Sequence, residues 1–166
     1  MYRSERFNPG LFGKLFHLGA KLAETNRWLK LADALPWEKL DAEYGRYFAA
    51  GQGRPAKDSR LVCGLLLVKR LKNVSDEDAV LEFMESPYIQ AFCGQEYFAL
   101  EDVTNPGILS ERRKRLGSEF LSLLDEELET ALKNDKTLDF HLPRAGRAEE
   151  GFWASLAAKA RSLFGA

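Results

Sequence analysis

Apolar residues recur at helical spacing between residues 58 and 92, and the residues that interrupt them predict three helices in succession. Leu61, Val62, Leu65, Leu66, Val68 and Leu71 make an apolar surface too wide for one solvent-exposed face. The helix that carries them, capped by Asp58 or Ser59 and running to about Leu71, is therefore expected at the centre of the domain. Lys72-Asn73-Val74 reads as a short turn. Ser75 with Asp78 three residues later resembles a capping box, and opens a second helix through Glu85. Ser86-Pro87 ends it and starts a third, because proline suits the first helical position and the residue before it resists helix. Tyr88, Ile89 and Phe92 carry that helix onto the core. Helix, short turn and helix make the outline of a helix-turn-helix unit.

Leu11, Phe12, Leu15, Phe16 and Leu22 mark an amphipathic N-terminal helix, and Pro36-Trp37 opens another that carries Leu40, Tyr44, Tyr47 and Phe48. Residues 49–53 read as a turn or linker. After a loop over 95–103, Thr104 or Asn105 caps a helix with Pro106 in its first turn, running to about Leu116 and closed by Gly117. Ser118 opens a long helix through Lys133, with Phe120, Leu121, Leu124, Leu128 and Leu132 on its inner side. Almost nothing alternates with the period of two expected of strands, so the fold class is all-α. The predicted organisation is one compact multi-helix domain over residues 1–133, a linker rich in Pro, Gly and charge over 134–150, and an amphipathic C-terminal helix over 151–166.

Composition narrows the function classes. With 45% hydrophobic and 30% charged residues in 166, the chain has the make-up of a soluble globular protein. No apolar run approaches the roughly 18 residues of a membrane span. Lys14, His17 and Lys21 interrupt the one N-terminal segment that could serve as a signal core, so the expected location is the cytoplasm. The formal net charge of −1 argues against a protein that coats nucleic acid through bulk charge, yet the signs are segregated. Six basic residues stand against one acidic residue over 52–72, Arg112, Arg113, Lys114 and Arg115 stand beside a single Glu111, and 119–129 holds five carboxylates with no base. The surface is expected to be polarised.

Catalytic and metal chemistry find little support. Cys63 and Cys93 lack a histidine or second cysteine at ligand spacing and read as small buried apolar residues, so no zinc, other cofactor or disulfide is expected. Asp125, Glu126, Glu127 and Glu129 read as the solvated face of one helix. Neither His17 nor His141 has a nucleophile nearby. The aromatic residues, Trp28, Trp37, Tyr44, Tyr47, Phe48, Phe83, Tyr88 and Phe92 among them, fall at helical spacing and are expected in the core.

The basic segments remain. The helix from Asp76 carries Asp76, Glu77, Asp78, Glu82 and Glu85, which phosphates would repel. The helix after Asn105 suits DNA better: Ile108, Leu109 and Leu116 dock on the core, while Gly107, Ser110 and Lys114 share the opposite face with Arg113 beside them. Arg113 and Lys114 are expected on the DNA backbone, or Arg113 on a guanine, and Arg112 is expected to pack its stem and expose its head. Arg54, Lys57 and Arg60 form a second basic patch suited to an arm on phosphates. Lys69, Arg70 and Lys72 equally suit pairing with the acidic helices. On spacing alone, Arg112 to Arg115 fit a solvated basic helix end, favoured by the helix dipole, as well as they fit a DNA contact.

The block GRPAKDSRLVCGLLLVKRLKNVSDEDAVLEFMESPYIQAFCG resembles the N-terminal domain of bacterial insertion-sequence transposases of the IS-five-like group. A Gly-Arg-Pro opening, a leucine-rich helix, an Asn-x-Ser-Asp-Glu turn, a Pro-Tyr pair and a Phe-Cys-Gly end follow one another in that family's order. Weaker matches at Leu35-Pro36-Trp37 and in NPGILSERRKRLG extend the resemblance to about residues 35–133. It implies a domain that binds double-stranded DNA at element ends or regulates transposition, through Asn105, Ser110, Arg112, Arg113, Lys114 and Arg115 with Arg54, Lys57 and Arg60 in support. Such transposases cut DNA with a separate ribonuclease-H-type domain in which three carboxylates hold two magnesium ions. Only about thirty residues follow Lys136 and they lack strand character, so no catalysis is expected of this chain. Two other readings stay open: a protein-interaction module forming a homo-oligomer through its terminal helices, and a truncated remnant without function.

Overall fold

The computed structural model describes residues 17–18, 22–48, 58–99 and 104–142. The expected N-terminal helix up to Phe16, Arg54 and Lys57, the linker beyond residue 142 and the C-terminal helix lie outside the described residues. Among the described residues six α-helices follow in order: α1 (Arg27–Ala34), α2 (Trp37–Gly45), α3 (Ser59–Lys72), α4 (Asp76–Glu85), α5 (Pro87–Phe92) and α6 (Pro106–Asn134). A 3-10 turn, Lys136–Leu138, comes after them. The described residues hold no strand, only an isolated bridge between His17 and Tyr97. The all-α expectation holds. No helix among the described residues is long and apolar enough to cross a membrane.

Helix α3 is the centre, with α2, α4 and α6 packed around it. Every residue from Leu61 to Leu71 is buried, the cations Lys69 and Arg70 included. The Asp58 carboxylate caps it by accepting from the N–H groups of Arg60 and Leu61. Asn73 ends it in the left-handed conformation (φ 53°), which asparagine tolerates better than most residues. Ser75 then caps α4 by accepting from the Asp78 N–H, and Ser86 caps α5 by accepting from Ile89.

The end of α5 explains the Phe-Cys-Gly run. Phe92 packs tilted against Trp28 and edge-on against Trp37, with ring centroids 5.2 and 5.5 Å away. Cys93 lies on Gly64 of α3: a Cβ at Gly64 would sit 2.7 Å from the Cys93 sulfur and 3.1 Å from its Cα. Gly94 takes φ +87°, and its N–H and that of Gln95 bond back to Ala91 and Gln90, a Schellman closure that needs a residue free to go left-handed. Both thiols are wholly buried, and burial pushes each well above the ordinary cysteine value. Gln90, also buried, donates to the Ala99 carbonyl and accepts from the Ala99 N–H, which pins the following loop.

Gly117 (φ 70°, ψ 178°) breaks α6 into two arms, 106–116 and 118–134, where the sequence pattern placed the break. Phe120, Leu121, Leu124 and Leu128 of the second arm are buried, and Leu132 packs on the core from its edge. The structure departs from expectation in two places. Helix α1, capped by Asn26 and burying Trp28, Leu31 and Ala32, does not figure among the predicted elements. Residues 136–142, expected to begin a linker, fold back: Leu138 is buried and Phe140 packs edge-on against Trp28 at 4.8 Å. Apolar residues at 138, 140 and 142 supply burial that outweighs the charged composition of the segment.

Gly64→Ala should lower stability by about 1–3 kcal/mol, the usual cost of overpacking a tight contact. The readout is a lower urea midpoint with unchanged slope. Gly45→Ala in α2, where the added carbon meets nothing within 4 Å, should leave stability unchanged or slightly raised.

Candidate nucleic-acid interface

The first arm of α6 docks through Leu109 and Leu116 and turns Asn105, Gly107, Glu111, Lys114 and Arg115 to solvent. Ser110, Arg112 and Arg113 are half-buried at the margins. The Asn105 side-chain oxygen accepts from the Ile108 N–H at 3.2 Å, so this residue is the cap of the helix. Lys114 has no ion-pair partner among the described residues.

Arg113 is not the outward cation that its helical position suggested. Its guanidinium forks onto Asp76, the first residue of α4, at 2.7 and 2.6 Å. Lys69 reaches the same carboxylate from α3 at 3.0 Å and also donates to the Val74 carbonyl. The physical reason lies in α3: Lys69 is buried and needs a counter-charge, Asp76 supplies it, and a carboxylate so placed attracts a second cation. Burial alone would push the Asp76 carboxyl up, but its hydrogen bonds and charges from Arg113 and Lys69 outweigh that and hold it below the ordinary value. Three helices are thereby tied at one point.

Arg112 and Arg115 share a different support. Their guanidinium carbons lie 5.1 and 4.4 Å from the centroid of the Phe48 ring, just beyond the end of α2. Arg115 also donates through Nε to the Tyr47 carbonyl at 3.0 Å, and Arg112 donates through Nη1 to Glu111 at 3.0 Å. The stem of Arg112 is packed, as its place beside Leu109 and Leu116 suggested, but so is much of its head: the side chain is 11% exposed, Nε is buried, and Nη1 reaches the exposed Glu111. Phe48, expected only as a core aromatic, is both buried and a platform for two cations. Nothing in the local pattern marks that role.

Arg60 sits elsewhere. Its guanidinium lies 4.8 Å from the Trp37 ring centroid and donates through Nε to the Phe92 carbonyl, and its stem covers Gly94. Burial lowers its pKa from the usual arginine value. It belongs to the joint of α2, α3 and α5 rather than to the basic run of α6. The alternative foreseen for the remaining cations holds: Lys69 pairs with Asp76, Arg70 with Asp125 at 3.0 Å, and Lys72 with Glu82. Burial pushes the Asp125 carboxyl up, and Arg70 offsets this only in part. Glu127 and Glu129 meet Lys39 and Lys133. Among the described residues no group of three or more His, Cys, Asp or Glu could hold a metal ion.

Residues 16–115 match the family described as "Transposase domain (DUF772)". The chain belongs to this family. The matched transposase domain is non-catalytic, and it spans α1 to α5 and the first arm of α6, ending on Arg115. The chain is also 37% identical over 106 residues to a Rhizobium meliloti protein described as "Uncharacterized protein ORF8 in nfe locus". That similarity covers 63% of this chain and 51% of the relative, so the chain spans about half of the relative's length. No solved structure matches.

Asp76→Asn in this transposase domain leaves Lys69 and Arg113 without their shared charge and should cost about 3 kcal/mol, the lower end for a broken buried pair. Urea unfolding at neutral pH measures it. Because the folded pKa of Asp76 is depressed, its contribution is fully present above the unfolded value of about 3.9 and is lost as pH falls through the lower folded value. Asp125, whose folded pKa is raised, acts with opposite sign: the penalty on its charged form is relieved as pH falls through that value. Stability measured against pH should therefore fall less steeply below about pH 4 in Asp76→Asn than in the wild type.

Proposed function

We propose that this transposase domain binds double-stranded DNA without cutting it. In this reading it recognises the ends of an insertion element of the IS-five-like group, or regulates its transposition, as an N-terminal domain. The observation that carries the reading is the outer face of α6 between residues 105 and 115. It combines the small residues Gly107 and Ser110 with the exposed cations Lys114 and Arg115, at the end of the segment shared with the family. Small side chains permit close approach to a sugar-phosphate backbone, and the positive end of the helix dipole favours phosphate over this first turn.

The acidic helix α4 lies against α6, which raises the question of repulsion. Glu77, Asp78 and Glu85 are exposed and would repel a phosphate on that side. Asp76 would not, because Lys69 and Arg113 together leave a net charge of about +1 at that point. Arg113 therefore contributes through its field, and Lys114 and Arg115 contribute by contact. Of the helix-turn-helix outline formed by α3 and α4, neither helix meets DNA: α3 is enclosed and α4 is acidic. The first arm of α6 is the reading helix, with Ser110 foremost and Lys114 on the backbone beside it, and Arg54 and Lys57 supply an arm.

Fluorescence anisotropy on labelled duplexes tests this. Binding should weaken with salt, log K falling by about 0.9 per phosphate neutralised for each unit of log salt. Lys114→Gln should weaken binding to all sequences alike and reduce that slope by about one, with an unchanged melting temperature. Affinity that ignores salt would refute DNA binding, and equal affinity for element ends and random duplex would refute end recognition.

A further inference from the structure

The cations of this fold are managed in two ways. Lys69 and Arg113 share Asp76, Arg70 has Asp125, Lys72 has Glu82 and Lys39 has Glu127. Arg112 and Arg115 are held together with no carboxylate between them among the described residues. Among the described residues the ion pair that either makes is Arg112 with Glu111, an exposed side chain that takes a hydrogen bond from Nη1 of Arg112. Two guanidiniums against one ring repel each other, and the attraction of each to the ring face only partly offsets this. The arrangement is nonetheless built. Phe48 is 9% exposed and stacks on the fully buried Tyr44 at 4.7 Å, so the ring is fixed from below. The Tyr47 carbonyl orients Arg115 through its Nε, leaving both terminal amino groups of Arg115 without a partner among the described residues. Residues 112 and 115 are three apart on α6 and so share one side of the helix.

Resting on the DNA-binding reading above, we propose that Phe48 is a positioning residue that sets Arg112 and Arg115 as a two-pronged seat for one phosphodiester of duplex DNA. The phosphate takes the place that a shared carboxylate fills for Lys69 and Arg113. The terminal amino groups present the donors, those of Arg115 from an exposed side chain and those of Arg112 from one that is 11% exposed with its Nε buried, in a planar geometry that a lysine at either position cannot reproduce. The seat lies on the side of α6 that faces the end of α2, away from the exposed carboxylates of α4, and so gives the bound duplex a direction. Binding a phosphate also lets the Glu111 side chain swing into solvent at little cost, since it is largely exposed already.

The test is anisotropy on the full chain with a labelled duplex across a range of salt, with a thermal melt of each variant. Arg115→Lys keeps the charge and loses the fork. It should weaken binding about tenfold, the equivalent of one charge-assisted hydrogen bond, with the salt slope unchanged. Phe48→Leu should weaken binding about as much, and Phe48→Leu with Arg115→Gln should lose less than the product of the two single losses, because both act on the same seat. Lys133→Gln, at the far end of α6, should bind as the wild type does. If the wild type binds DNA in a salt-dependent manner but Arg115→Lys matches it, or if the Phe48 and Arg115 losses multiply, the seat is wrong while DNA binding stands. A loss in Lys133→Gln equal to that in Arg115→Lys would reduce the effect to diffuse charge and equally overturn the seat. Absence of any salt-dependent duplex binding overturns both. If Phe48→Leu melts early, Arg115→Lys decides alone, because its side chain is exposed.

Discussion

The enclosure of α3 is the constraint on which the rest depends. A helix buried on every side from Leu61 to Leu71 cannot leave Lys69 and Arg70 unpaired, because an isolated buried cation costs several kcal/mol. Carboxylates must therefore come to it from outside. Asp76 comes from the start of α4 and Asp125 from the second arm of α6, and these two pairs set where both helices sit around the centre. Asp76 then draws Arg113, which fixes the rotation of the first arm of α6. The face that α6 shows to solvent is thus a consequence of charges buried in α3.

Glycines permit the same closeness by different means. Gly64 lets the end of α5 rest on α3, Gly94 turns the chain back left-handed beneath Arg60, and Gly117 bends α6 so that its two arms can follow the core separately. These positions give physical content to the Phe92-Cys93-Gly94 and Arg115-Leu116-Gly117 runs of this chain. The aromatic residues serve twice. Phe92 and Trp37 are core and yet Trp37 carries Arg60, as Phe48 carries Arg112 and Arg115. Two cations of the basic run, Arg112 and Arg115, are therefore held by an aromatic ring as well as by helix geometry.

Much of the fold was legible because its signals are local. Asp58, Ser75, Ser86 and Asn105 cap the helices they precede, Asn73 and Gly117 end or break them, and the apolar spacing of α3 announced its burial. Helix α1 is poorly marked in the sequence because it has only eight residues and buries only Trp28, Leu31 and Ala32. The turn at 136–138 has the composition of a loop, and only contact with Trp28 and α1 gives its apolar residues a place.

The chain's own order of residues determined the helices, their caps, the all-α class, the family and the segregation of charge into basic and acidic stretches, since each rests on residues a few positions apart. Tertiary structure decided which cations are committed and which are offered. Arg113 and Lys114 are neighbours of like charge in sequence, yet one is locked to a carboxylate 37 positions away and the other faces solvent. Only the packing of α4 against α6 separates them, because the strength of a charge pair depends on distance and burial, and neither is written in spacing along the chain.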